Sequence, residues 1–154
     1  MNENPFYKVE KPKIDKRDKR VVHANEYKSL YDWLSERWNG WRMPLLFLET
    51  KSAIGCRLRE LAYLRPGQLE DGRIVTESAS CKGRKTRKSK LATERYAELV
   101  DISGKNFVFE NWSQELRQLY RNAGRSRYAR QVKEFCPEHL TRWMQRQIDD
   151  FRKA

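Results

Sequence analysis

The segment from Met43 to Leu48 constrains the fold of this chain more than any other, because it is almost wholly apolar. Such side chains leave water when a protein folds. Pro44 would lie in the first turn of a helix, where the N–H group that proline lacks has no helical partner in any case. The sequence therefore predicts a central buried helix from Met43 to about Ala53.

The composition indicates a folded domain that binds a polyanion. The chain has 154 residues and a formal net charge of +12, and its five Trp, seven Tyr and six Phe argue against disorder. Nucleic acid is the default partner of so basic a surface, and a basic amphipathic membrane binder is the weaker alternative. There is no long uninterrupted apolar run, so we expect no helix that spans a membrane.

Cysteine and histidine are too few and too scattered for a metal site or a disulfide framework. Cys56, Cys81 and Cys136 are far apart, and His23 and His139 are the only histidines in the sequence. We therefore expect reduced thiols, no metal and no cofactor. The first twenty residues lack the apolar core of a signal peptide, which favours a cytoplasmic protein.

Hydrophobic periodicity predicts a mainly α protein with a small antiparallel β-sheet, an α+β fold. Residues 1–21 are rich in Lys and Arg and are interpreted as a basic linker or arm, whereas residues 22–154 form the folded domain. Asn25 and Thr93 are predicted to cap the helices that follow them. Helices are predicted at 26–38, 43–53, 93–100, 113–122 and 137–152, and strands at 68–69, 73–76 and 89–91.

An arginine stands where a short core helix should begin, in the run from Gly55 to Leu61. Apolar residues flank Arg57, and a guanidinium is hard to bury without an anion or a carboxylate. Arg57 could pair with Glu60 one turn on, or extend to water. Glu60 itself is interpreted as a structural brace for this region rather than as an acid catalyst.

Two further stretches concentrate positive charge. From Lys82 to Lys90 there are six Lys or Arg and no acid, at the predicted tip of a β-hairpin. Phosphates would relieve the mutual repulsion of such charges most readily. From Gly124 to Lys133, several cations surround Tyr128, a mixture that suits either a nucleic-acid surface or a solvated loop.

The last predicted helix carries a histidine and two arginines on one face. His139, Arg142 and Arg146 are spaced at i, i+3 and i+7, which places them together along the helix. Taken alone, such residues are most often a solvated surface.

In their order along the chain, these sites resemble the catalytic domain of the tyrosine recombinases, the phage integrase family. The first motif of that family is Gly-x-Arg-x-x-Glu-Leu, which Gly55 to Leu61 matches. Its lysine lies on the turn between the second and third strands, where Lys82 stands, with Lys85 as the second choice. Its second box is His-x-x-Arg on a helix, often after a proline, and the run from Pro137 to Arg142 resembles it.

The resemblance implies a recombinase-like fold and a site-specific recombinase that cleaves and rejoins DNA strands through a 3′-phosphotyrosine. It implies that Arg57 and Arg142 clamp the phosphate, that His139 bonds the phosphate or moves a proton, and that Lys82 protonates the leaving 5′-oxygen. Double-stranded DNA is then the partner, with the full-length protein a homo-oligomer on DNA and associated with the nucleoid. The DNA-binding residues would be Lys85, Arg84, Arg87, Lys88 and Arg146.

Two departures from the family leave the activity open. Trp143 follows Arg142, where the family usually has a small basic residue or a histidine, and no tyrosine of this sequence lies beyond Tyr128. The nucleophile that the resemblance requires downstream of Arg142 is therefore absent from this chain, and residues 22–154 are interpreted as a partial catalytic domain. The alternatives are a catalytically inactive module on the same fold and an unrelated basic nucleic-acid-binding protein.

Overall fold

The computed structural model describes residues 23–77 and 86–154 of the chain. These residues are mainly helical and include a small three-stranded antiparallel sheet, which confirms the predicted α+β class. The helices are α1 (Ala24–Arg37), α2 (Arg42–Ile54), α3 (Leu58–Ala62), α4 (Thr93–Ile102), α5 (Trp112–Asn122), α6 (Ser126–Gln131) and α7 (Pro137–Lys153). The strands are β1 (Leu69–Glu70), β2 (Arg73–Glu77) and β3 (Thr86–Lys90), and a 3₁₀ turn (Pro66–Gln68) precedes them.

Helix α2 is the central buried helix that the apolar segment predicts. Its side chains from Met43 to Leu48 are buried, and so are Thr50 and Ile54. The Thr50 hydroxyl donates to the Leu46 carbonyl oxygen at 2.8 Å, which satisfies a polar group that water cannot reach. The ring of Phe47 meets Phe109 edge to face at 5.0 Å between centroids, so α2 also holds the loop between α4 and α5.

A cluster of four tryptophans joins distant parts of the chain. Trp143 of α7 lies 5.4 Å from Trp38, 5.7 Å from Trp41 and 5.5 Å from Trp112, measured between ring centroids. The indole N–H of Trp38 donates to Gln147 Oε1 at 3.0 Å, and that of Trp41 to Glu115 Oε1 at 3.3 Å. Such aromatic pairs each add about 0.5–1.5 kcal/mol beyond their buried area, so the cluster fixes α7 against α1, α2 and α5.

The sheet has the order β1-β2-β3 and lies beside the end of α2. Asp71 and Gly72 connect β1 to β2 with φ values of 46° and 78°, which gives the tight turn that the sequence predicts there. Ile74 on β2 is buried and anchors the sheet in the core. On β3, the Arg87 guanidinium donates a hydrogen bond to the carbonyl oxygen of Ile54.

The structure corrects two predicted caps and adds one helix. Helix α1 begins at Ala24 after an extended His23, and α4 begins at Thr93 after an extended Ala92, so Asn25 and Thr93 are inside their helices and neither caps one. A capping residue must be extended, and each side chain stands too late in the chain for that role. Residues 126–131 form α6, which the sequence did not predict. Ala129 is the single buried residue of this helix, so its sequence has no apolar stripe to indicate it.

Among the residues that the structure describes, none of the helices is both long enough and apolar enough to cross a bilayer.

Gly55 ends α2 in the left-handed region, at φ 66° and ψ 31°, which is costly for a residue with a Cβ atom. We expect Gly55→Ala to lower the free energy of unfolding by about 1–2 kcal/mol. A Cβ atom there would lie 3.9 Å from Arg87 Nη2, an ordinary contact, so backbone strain alone causes the loss. Urea denaturation followed by circular dichroism measures the change.

Gly67→Ala is the matched control, since Gly67 lies outside the left-handed region and a Cβ atom there meets open space. We expect that variant to be as stable as the wild type or up to about 1 kcal/mol more stable. Equal losses in the two variants would show that the left-handed turn is not the cause.

Candidate nucleic-acid interface

Helix α3, which follows Arg57, packs against the beginning of α7. Arg59 of α3 and Tyr63, which follows the helix, converge on Glu138: the Tyr63 hydroxyl donates to Glu138 Oε1 at 2.7 Å, and Arg59 Nη2 lies 3.0 Å from the same oxygen. The Arg59 guanidinium also lies over the Tyr63 ring, 5.4 Å from its centroid. The first motif and the His139–Arg142 box are therefore on two helices in direct contact.

Arg57 is exposed and stands in extended conformation immediately before α3, with φ −78° and ψ 154°. Its backbone N–H donates to Glu60 Oε2 at 3.3 Å, so Glu60 braces the first turn of the helix, as predicted. The carboxylate thus bonds the main chain of Arg57 rather than its guanidinium. Within residues 23–77 and 86–154, no acidic side chain forms an ion pair with Arg57, which leaves its charge available to an external anion.

The β2–β3 hairpin approaches the same turn. The hydrogen bond from Arg87 to the Ile54 carbonyl joins β3 to the chain three residues before Arg57. Lys88, the next residue along β3, is exposed. Arg87 therefore has a partner inside the protein, whereas Lys88 is open to solvent. The predicted site residues Lys82, Arg84 and Lys85 lie outside the described residues, as does the predicted arm at 1–21.

A groove of about 500 Å³ runs between α5, α6 and α7. The buried rings of Trp112 and Trp143 belong to its lining, together with the tyrosine rings of Tyr120 and Tyr128. Four basic side chains also line it, and its described lining includes no Asp or Glu. These four residues are Lys133, His139, Arg142 and Arg146.

The groove brings together three of the residues predicted from the late helix, His139, Arg142 and Arg146, but Arg57 is not part of its lining. Arg142 links the two regions, because it lines the groove and its charge also acts on Glu138 beside α3. Lys133 and Tyr128 were not among the predicted site residues, although the stretch from Gly124 to Lys133 was interpreted as either a nucleic-acid surface or a solvated loop. The mixture of cations and tyrosine from Gly124 to Lys133 was the signal that could have found them.

Most acidic residues that form ion pairs do so away from the groove, whereas Glu138, which pairs with Arg59, lies one residue from His139 of the lining. In the described part of the chain, Arg42 holds both Glu49 and Glu98 at 2.6 Å and so joins α2 to α4. Arg37 pairs with Asp150 at 3.0 Å and Arg152 with Glu26 at 3.2 Å, which joins α1 to α7. Partly exposed pairs of this kind stabilise a fold by less than about 1 kcal/mol each. None of these pairs uses a basic residue of the groove lining.

Metal and thiol chemistry find little support in the described residues. No group of three or more His, Cys, Asp or Glu among them could hold a metal ion. Cys56 and Cys136 are free thiols, and Cys81 lies outside the described residues. Burial raises the pKa of the Cys56 thiol to about 11, which keeps it protonated and unreactive at neutral pH.

Comparison with protein-family models, with curated proteins and with solved structures found no match to this chain.

The strength of the contact between α3 and α7 should depend on the protonation of Glu138. The Tyr63 hydroxyl, then the charges of Arg59 and Arg142, lower the pKa of this carboxyl below its ordinary value. A carboxyl with a lowered folded pKa stabilises the fold fully above its unfolded pKa of about 4.3, and the contribution is lost as pH falls through the folded pKa. We expect Tyr63→Phe to raise the pKa of Glu138 toward the ordinary value, measured from the carboxyl carbon shift by NMR.

Tyr120→Phe removes a hydroxyl that has no contact with Glu138 and serves as the control. The same Glu138 pKa in wild-type and Tyr63→Phe proteins would contradict the contact between α3 and α7.

Proposed function

We propose that this chain is the DNA-binding part of a tyrosine recombinase catalytic domain, in which Arg57 and Arg142 grip one scissile phosphate. The observation that supports this most strongly is the packing of α3 on the start of α7. That contact joins the Gly-x-Arg-x-x-Glu-Leu motif to the His-x-x-Arg motif, which are separated by most of the domain in sequence. In an unrelated basic protein, these two motifs would be on touching helices only by coincidence of core packing.

Two arginines suit the chemistry of phosphodiester cleavage. Attack on the phosphorus gives a pentacoordinate transition state with additional charge on the non-bridging oxygens. A guanidinium offers paired N–H donors and stays charged at any physiological pH, so two of them can hold those oxygens without a metal ion. Arg57 and Arg142 are exposed, and their charge is available at the surface before DNA binds.

The other proposed residues have roles that follow from their chemistry. His139 lies one residue from Glu138 at the start of α7 and would bond the phosphate or assist the proton transfer of the nucleophile. Lys82 would protonate the leaving 5′-oxygen, because the pKa of a lysine can fall among other cations. Lys85, Arg84, Arg87, Lys88 and Arg146 would contact the DNA backbone.

The distribution of charge supports a duplex as the partner. The chain has a formal net charge of +12, and most of the acids that form ion pairs in the described part lie away from α3 and the start of α7, with Glu138 beside Arg59 as the exception. Cations of this kind contact the phosphates of a duplex and release its counterions. The protein would then act on DNA in the cytoplasm, associated with the nucleoid, and assemble as a homo-oligomer on its site.

A second candidate is a DNA-binding module on the same fold that performs no cleavage. The observation that favours it is the lining of the groove, which includes His139 and Arg142 but not Arg57. In such a module the cations would still hold a duplex, but no phosphate would be clamped from two sides.

The two candidates differ in what Arg57→Ala and Arg142→Ala do. We expect each change to reduce covalent protein–DNA complex formation by about 10²- to 10³-fold, because each removes a donor used mainly in the transition state. Duplex binding should weaken only as much as the loss of one phosphate contact, with the salt slope falling by about 1. The protein is expressed from the whole open reading frame, and the substrate is the duplex that it enriches from a random pool.

Arg142→Lys tests the clamp more sharply, since it keeps the charge but loses the paired N–H donors, and it should also cleave poorly. Lys28→Ala removes one exposed charge on α1 and is the control that should behave as the wild type. A wild-type protein that binds the duplex but forms no covalent complex would select the non-enzymatic module. Loss of all duplex binding from either single arginine change would exclude both assigned roles.

A further inference from the structure

The groove between α5, α6 and α7 presents an aromatic ring that the proposed function does not use. Tyr128 is 51% exposed, although it is a large side chain on an ordered helix. Tyr120 supports its ring from below, with centroids 5.7 Å apart and planes tilted by 33°. The Arg125 guanidinium lies 5.9 Å from its centroid. The Tyr128 ring, which contacts Tyr120 and Arg125 and is half exposed, can therefore stack on a planar group through its exposed part.

Positive charge surrounds this ring on two sides. Lys133, Arg142 and Arg146 are exposed in the lining of the groove, and His139 is half-buried beside them. Arg127 and Arg130 are exposed on α6 itself. The described lining includes no acid, so the occupant that fits this charge is an anion.

Shape and chemistry together favour an unpaired nucleic-acid strand over a duplex or an acidic peptide. The bases of a duplex cover one another's faces, whereas an unpaired base offers its face to an aromatic ring. A volume of about 500 Å³ is in the range of pockets that hold small molecules, so the interior of the groove suits one or two unpaired nucleotides better than a whole duplex. An acidic peptide would satisfy the cations but would leave the Tyr128 ring without a planar partner.

We propose that this groove binds unpaired nucleotides: a base stacks on Tyr128, and the adjoining phosphates bond Lys133 and Arg146. The site makes and breaks no covalent bond, and it does not depend on the recombinase chemistry. Arg142 belongs both to the lining of this groove and to the proposed phosphate clamp. An unpaired strand bound in the groove would therefore lie next to a duplex bound at Arg57.

Fluorescence anisotropy with a labelled oligothymidylate of about 12 nucleotides tests the proposal on the whole chain. Tyr128→Ala should weaken binding by about 5- to 100-fold, which corresponds to the loss of one base–aromatic stack. Tyr128→Phe keeps the ring and should bind as the wild type does. Arg146→Ala should weaken binding and reduce the slope of log K against log salt by about 0.7, the value for one phosphate on a single strand.

A competition experiment distinguishes binding through base stacking from a non-specific attraction to polyanions. Polyglutamate of the same charge should fail to displace the oligothymidylate at concentrations where unlabelled oligothymidylate does so. Circular dichroism melting checks that Tyr128→Ala remains folded, which its exposure leads us to expect. Lys28→Ala again controls for the loss of a single charge.

Three results would overturn the proposal: equal affinities of Tyr128→Ala and wild type for the oligothymidylate, displacement by polyglutamate at matched charge, and no binding of the oligothymidylate by the wild type. Each of them is independent of covalent complex formation on a duplex, so this site and the proposed enzymatic function can fail separately.

Discussion

The position of Trp143 determines how α7 is turned, and the candidate interface depends on that rotation. Its ring lies within 5.4–5.7 Å of three other tryptophans, which follow α1, precede α2 and begin α5. Leu140, Met144 and Ile148 are buried on the same side of the helix. Because one side of α7 is committed to the core, the residues between these positions must face outward. His139, Arg142 and Arg146 are therefore displayed as a consequence of core packing.

Acidic and basic side chains occupy different parts of α7, because the elements that contact its two halves differ. Asp150 near the C-terminal end of α7 and Glu26 at the start of α1 pair with arginines, whereas the N-terminal half of α7 carries basic residues that line the groove. Glu138 is the exception, and it is held by Tyr63 and Arg59 of the neighbouring segment. Glu138 thus attaches the segment after Arg57 to the start of α7, and the Tyr63 hydroxyl together with the charges of Arg59 and Arg142 lowers its pKa.

Much of the fold could be predicted from the sequence, since apolar residues recur with helical spacing in α1, α2, α5 and α7, and Asp71-Gly72 has the composition of a tight turn. Helix α6 could not, because it buries only Ala129 and so lacks an apolar stripe. The two predicted caps were wrong because they rested on the preference for Asn and Thr at the N-cap position. In the structure His23 and Ala92 occupy the N-cap positions of α1 and α4.

The candidate site was predictable only in part. Spacing alone placed His139, Arg142 and Arg146 on one face, but the groove that they line needs Trp112 and Tyr128, which are brought there by packing between α5, α6 and α7. No local pattern reports such a long-range arrangement. The contact of Tyr63 and Arg59 with Glu138 has the same origin, since its partners are more than seventy residues apart.

The bond from Arg87 to the carbonyl of Ile54 has a mechanical consequence. The Arg87 guanidinium is a cation at the C-terminal end of α2, where the helix dipole favours positive charge. Its hydrogen bond connects β3 to the backbone at the turn before Arg57. Movement of β3 away from the end of α2 would break this bond, so the position of the strand is linked to the backbone just before Arg57.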